Sequence, residues 1–159
     1  MVRKIIAFVV AVIIPEAVGA LAGLATQSSV TTWYPTLSRP WFTPPDAVFA
    51  PVWITLYFMM GVASWRVWDR GARRATGQMA LVAYGLQLLL NGAWSLVFFG
   101  FQSIAWGLVV IVALLIAILV TMRLFRRVDR WAFWLLVPYC VWVAYATMLN
   151  ASLWWLNSA

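Results

Sequence analysis

The chain has 159 residues and a net charge of +7, with 65% of its residues hydrophobic and only 9% charged. A soluble domain is about half apolar and about a quarter charged, so there are too few charges here to cover a water-facing surface, and the chain reads as an integral membrane protein. His is absent and the one cysteine, Cys140, lies inside an apolar run, which leaves no disulfide framework, no metal-ligand spacing and no His-based triad; the basic residues flank apolar runs rather than gathering on a soluble aromatic face, which sets nucleic acid aside as a partner.

The first apolar run follows Arg3 and Lys4 and is longer than the core of a signal peptide, so it reads as a retained span over about 5–25. Inside it stands Pro15-Glu16. An intramembrane acid is a functional candidate by default; with no basic residue at matching depth, Glu16 is expected to be protonated and hydrogen-bonded to Gln or Asn on a neighbour. Helix packing or a dimer contact is its leading role and proton coupling the alternative. "GALAG" at 19–23 is a small-xxx-small pattern suited to close helix approach.

Residues 26–47 form the one long connection, and five of the seven prolines (Pro35, Pro40, Pro44, Pro45 and Pro51) fall within 35–51. Proline fixes φ and drives the preceding residue toward extended geometry, so "SRPWFTPPDAVFAPVW" at 38–53 should hold one shape without internal backbone bonds. Trp33, Tyr34, Trp41 and Phe42 suit an interfacial aromatic belt; the loop as a whole reads as a lid over a cavity. Pro51 fits the first turn of the second helix, where its missing N–H costs nothing.

Four further runs of spanning length follow at about 48–68, 76–99, 102–125 and 130–155, unbroken and without strand alternation. The fold class is therefore an all-α five-helix transmembrane bundle, one domain over 1–159. Its turns at 69–75, 100–102 and 126–129 are short enough to make consecutive helices antiparallel neighbours. Ten of the eleven basic residues share the side of the N-terminus and leave only Arg39 opposite. Lys and Arg accumulate on the cytoplasmic side, so the N-terminus is expected there, with the loop and the C-terminus on the far side.

Chemistry-bearing residues converge beneath that loop. Trp53 and Tyr57 share a face of the second helix. On the third, Tyr84, Gln87, Asn91, Trp94, Ser95 and Phe98 recur at three- and four-residue intervals, and on the fifth Pro138, Trp142, Ala146 and Asn150 recur at fours, with Tyr145 and Leu149 alongside. Three helices and a rigid cover are thus expected to enclose one aromatic chamber.

The stretches "WYPTLSRPWFTPPDAVFAPVWITLYFMMGVASW", "LQLLLNGAWSLVFFG" and "VPYCVWVAYATMLNASLW" resemble, in order and spacing, the signature segments of the tryptophan-rich TspO family, the translocator proteins also called peripheral-type benzodiazepine receptors. The resemblance covers nearly the whole chain. It implies a five-helix membrane protein, often a homodimer, that binds porphyrin or haem, sterol in some members, and synthetic isoquinoline carboxamides, with no obligatory cofactor. The pocket residues it implies are Tyr34, Pro44, Trp53, Asn91, Ser95, Trp142, Ala146 and Leu149; spacing adds Tyr57, Trp94 and Phe98. Trp53 and Trp142 match the pair connected in the family with light-dependent porphyrin breakdown. The sterol motif of animal members needs a basic residue after the fifth-helix tyrosine, and nothing basic follows Arg130; "RWAFWL" at 130–135 fits only the weak reversed form.

Three functions follow as expectations: a tetrapyrrole-binding protein of transport or stress sensing, an enzyme degrading porphyrin through Trp53 and Trp142, and a sterol- or lipid-binding membrane scaffold. A helical bundle favours a bacterial inner membrane.

Overall fold

A computed structural model describes residues 2–158; Met1 and Ala159, the two ends of the expected domain, lie outside the described residues. Five helices are each long and apolar enough to cross a membrane: α1 Val2–Thr32, α2 Asp46–Gly71, α3 Ala75–Ser95, α4 Ile104–Val128 and α5 Arg130–Asn157. The chain is a multi-pass membrane protein. Round the bundle the order is α1, α2, α5, α4, α3, with α3 closing back on α1 and also meeting α2 across the interior.

The helix ends differ from the sequence reading in ways that local chemistry explains. α1 continues through Thr32 instead of stopping near residue 25, followed by a 3-10 turn at Tyr34–Thr36, so the connection expected over 26–47 is about half helix. Nothing in "TQSSVTT" breaks a helix, and the hydroxyls of Thr26, Thr31 and Thr32 are satisfied on the carbonyls of Ala22, Gln27 and Ser28 one turn back. Likewise α2 starts at Asp46, an acid placed in the first turn where the helix dipole favours it. Pro51 therefore lies past the first turn, and its missing N–H leaves the Ala47 carbonyl without its helical partner.

A second proline sets a helix crossing. Pro15 is buried within α1 and deprives the Ala11 carbonyl of its i+4 donor. That oxygen faces Gly61 of α2, where a Cβ would stand 2.8 Å from Ala11 O and 2.6 Å from Val12 Cα. Only a glycine lets the two backbones approach so closely.

The last turn of α3 widens into a π-helical turn at Leu96–Gly100, and Gln102, at φ 52°, reverses the chain into α4. At the opposite end Asp129 is the hinge between α4 and α5. Its carboxylate accepts from the Trp131 and Ala132 amides at 2.7 and 3.0 Å, capping α5, and pairs with Arg66 and Arg70 of α2. Lys4 with Asp69 at 2.8 Å, and Arg3 over the Trp68 ring at 5.7 Å, fasten α1 to α2 at this same basic end.

Candidate functional site

The connection from Trp33 to Pro45 lies across the end of the bundle where α5 finishes. Its shape is held locally by the Thr43 amide and hydroxyl, which donate to Pro40 O at 3.0 and 2.8 Å. Three side-chain bonds then tie it to α5. Asn157 closes a two-way bond with the Ser38 backbone, accepting from its N–H at 2.9 Å and donating to its carbonyl at 3.0 Å, and the Tyr145 hydroxyl donates to Phe42 O at 2.5 Å. Arg39 lies 5.3 Å over the Tyr34 ring and pairs with Asp46 at 3.3 Å, linking the start of the loop to the start of α2.

Beneath the loop, between α2 and α5, is a groove of about 570 Å³, a volume typical of small-molecule sites. Pro44 forms its roof, Val52 and Leu56 line the α2 wall, and Val137, Pro138, Val141, Trp142 and Tyr145 line the α5 wall. The lining is almost wholly apolar. Its one side-chain hydroxyl, on Tyr145, is already donated to the loop. Phe49 meets the Trp142 ring edge-on at 5.8 Å, and Trp142 is tilted against Tyr145 at 5.9 Å, so the indole at the wall is clamped by rings from α2 and α5.

The other expected pocket residues separate into two sets. Trp53 stacks on Tyr57 at 5.3 Å and meets Tyr139 edge-on at 6.3 Å. Tyr57 donates to Asn91 Oδ1 at 2.6 Å, Asn91 Nδ2 reaches the Tyr139 hydroxyl at 3.2 Å, and Tyr139 donates to Gln87 Oε1 at 2.8 Å. This chain joins α2, α3 and α5 in the buried core, and Asn91 spends its amide there. Nearer the loop, Tyr34, Phe98, Leu149 and Leu153 are buried together, with Trp33, Phe42, Phe49, Trp94 and Phe99 packed round them. Trp94 Nε1 donates to Asn150 Oδ1 at 3.2 Å, while Asn150 Nδ2 holds the Ile104 carbonyl at 3.0 Å. Ser95 and Ala146 are half-buried, Ala146 against the main core.

Of the expected residues, then, Pro44, Pro138, Trp142 and Tyr145 line the groove, while the rest form the core and the aromatic layer behind it. The stripe at 138, 142, 146 and 150 explains the division. A four-residue step overshoots one helical turn by about 40°, so the stripe winds from the groove at Pro138 and Trp142 to the interior at Asn150. Val52, Leu56, Val137 and Val141 were not singled out by sequence, because aliphatic groove walls look like lipid-facing positions. Tyr139 was also missed. Its spacing from Val143, Ala146 and Asn150 at four, three and four was the available signal. Glu16 is half-buried on the α1 face that carries Gly19 one turn on, against the Tyr57 ring; the hydrogen bond to Gln or Asn expected for it is not found among the described residues.

Residues 11–156 match the family described as TspO/MBR. The chain is 43% identical over 141 residues to the tryptophan-rich protein TspO of Chlorobaculum tepidum, covering 89% of each chain. It is 37% identical over 155 residues to the tryptophan-rich protein TspO of Archaeoglobus fulgidus, covering 98% of this chain and 97% of the relative. Similarity extends to the translocator protein of Bos taurus, at 34% identity over 143 residues, 89% of this chain and 85% of the relative.

Proposed function

The chain belongs to the TspO/MBR family, and from that premise we propose that it binds a flat, largely apolar tetrapyrrole, porphyrin or haem, in the groove between α2 and α5, and acts in transport or stress sensing of that ligand. The observation that carries this reading is the groove itself, roofed by Pro44 and walled by Trp142. A macrocycle lying there would present its face to the indole, where aromatic contact contributes about 0.5–1.5 kcal/mol beyond burial. Its carboxylates would face the loop, whose Arg39, paired with Asp46, is one third exposed. The synthetic ligands of benzodiazepine-receptor type are aromatic and apolar enough for the same place.

Ligand binding is favoured over catalysis because the lining supplies no free acid or base: its only hydroxyl is committed to Phe42 O. Porphyrin breakdown by light, with Trp53 and Trp142 as the redox-active pair, remains the alternative; product analysis after illuminating a bound porphyrin separates the two. A homodimer in a bacterial inner membrane, with the N-terminus in the cytoplasm, completes the proposal.

The test is a protoporphyrin titration of the wild type and Val52→Trp, followed by tryptophan quenching. Val52 is half-buried on the α2 wall, and an indole there narrows the groove against the α5 wall. We expect at least tenfold weaker binding with helix content unchanged. Wild-type affinity in Val52→Trp would place the ligand elsewhere.

A further inference from the structure

A second hollow, of about 480 Å³, lies at the opposite, basic end of the molecule and is lined by Arg130, Trp131 and Trp134 at the start of α5. The geometry points to a binding site for one anionic phospholipid, its phosphate at Arg130 and its acyl chain along α5. This inference does not depend on the tetrapyrrole reading.

Charge comes first. Arg130 is exposed and has no ion-pair partner among the described residues. The adjacent carboxylate, Asp129, is fully buried and already shared by Arg66 and Arg70. Arg123, Arg126 and Arg127, on the last turns of α4, are exposed as well, and Arg126 lies over the Phe133 ring at 5.7 Å. The exposed charges of α4 and α5 at this corner are therefore all positive, Asp69 of α2 being paired with Lys4, and each such cation near a membrane surface favours an anionic headgroup by about fivefold.

Shape then selects a lipid over a free anion. Trp131 and Trp134 are 68% and 58% exposed, and indoles at this depth suit the boundary between headgroup and chain. Trp131, Trp134, Pro138 and Val141 recur at three- and four-residue steps and all are exposed, so they form one apolar stripe leading away from Arg130. Pro138 and Val141 also line the α2/α5 groove, which makes the stripe continuous from one hollow to the other. From Arg130 to Val141 the helix rises about 16 Å, close to the roughly 15 Å depth of one leaflet's hydrocarbon. A charge at one end and an apolar track one leaflet long match a phospholipid.

The experiment is native mass spectrometry of the purified full chain with palmitoyl-oleoyl phosphatidylglycerol or the phosphatidylcholine of the same chains. We expect the anionic phosphatidylglycerol to be retained preferentially. Arg130→Gln should reduce its retention about fivefold, and Trp134→Ala should also weaken it, whereas Arg127→Gln, outside the hollow, should weaken it clearly less. All three variants alter exposed side chains, and unchanged circular dichroism checks that the helices persist. Equal retention of the two lipids overturns the inference. So does an equal loss in Arg127→Gln, which would mean diffuse charge, or displacement of the lipid by inorganic phosphate or by cholesterol.

Discussion

Among the described residues, Asp129 makes more hydrogen bonds and ion pairs than any other charged side chain. Burial pushes its carboxyl upward, but the Ala132 amide, the Arg66 guanidinium and the Trp131 amide outweigh that and hold it below the ordinary aspartate range. A depressed folded value means a contribution present in full above the unfolded pKa, about 3.9, and lost as pH falls through the lower folded one. Asp129→Asn keeps an acceptor for the cap but loses the charge facing Arg66 and Arg70. We expect about 2 kcal/mol of destabilisation at neutral pH, read as a lower melting midpoint in detergent, with the gap to wild type closing as the buffer is acidified below the folded pKa. A gap that stays constant from neutral to strongly acid pH would contradict this role. Asn91 and Asn150 show a different residue-scale lesson. Sequence placed both on faces turned inward, correctly in direction, but could not tell an amide offered to a ligand from one consumed by Tyr57 and Tyr139 or by Trp94 and the Ile104 carbonyl. Partner identity depends on helix rotation, which a stripe of residues leaves free by tens of degrees.

At the scale of elements, the spans were legible because about 20 apolar residues have one use, whereas their ends were set by chemistry outside the hydrocarbon. With no helix breaker in 26–32, α1 ran on to Thr32 with its threonine hydroxyls satisfied one turn back, and the acid at Asp46 favours a start of α2 ahead of Pro51. The Trp33–Pro45 connection, expected to hold its shape without internal backbone bonds, has one from the Thr43 amide to Pro40 O, and its anchorage came from residues that composition does not mark, Asn157 and Tyr145. Pro44 roofs the groove and Pro45 precedes α2 as its N-cap. Pro44→Ala combined with Pro45→Ala should therefore widen the unbound loop ensemble without removing an aromatic ring. Each proline replaced returns backbone freedom that costs about 0.4–1 kcal/mol to order again, so porphyrin affinity should fall by about an order of magnitude, chiefly through faster dissociation. Stopped-flow release rates check it; a wild-type rate in the folded double variant would make the connection a surface anchor rather than a lid.

For the whole molecule, the ring order α1, α2, α5, α4, α3 puts the loop, the groove and the aromatic layer at one end and the Asp129 hinge with its arginines at the other. The sequence carried this polarity, since ten of eleven basic residues share one side, but not the circular order, which depends on which helix faces fit. A phosphatase fused after Ala159 should be active outside the cytoplasm; an inactive fusion with a fluorescent cytoplasmic counterpart would reverse the orientation. The most direct test of the account is a structure of the full chain with protoporphyrin bound. The macrocycle should lie between α2 and α5 under Pro44, one face on Trp142 and its carboxylates toward Arg39. A macrocycle seated away from both helices, with the α2/α5 groove unchanged and empty, would contradict it.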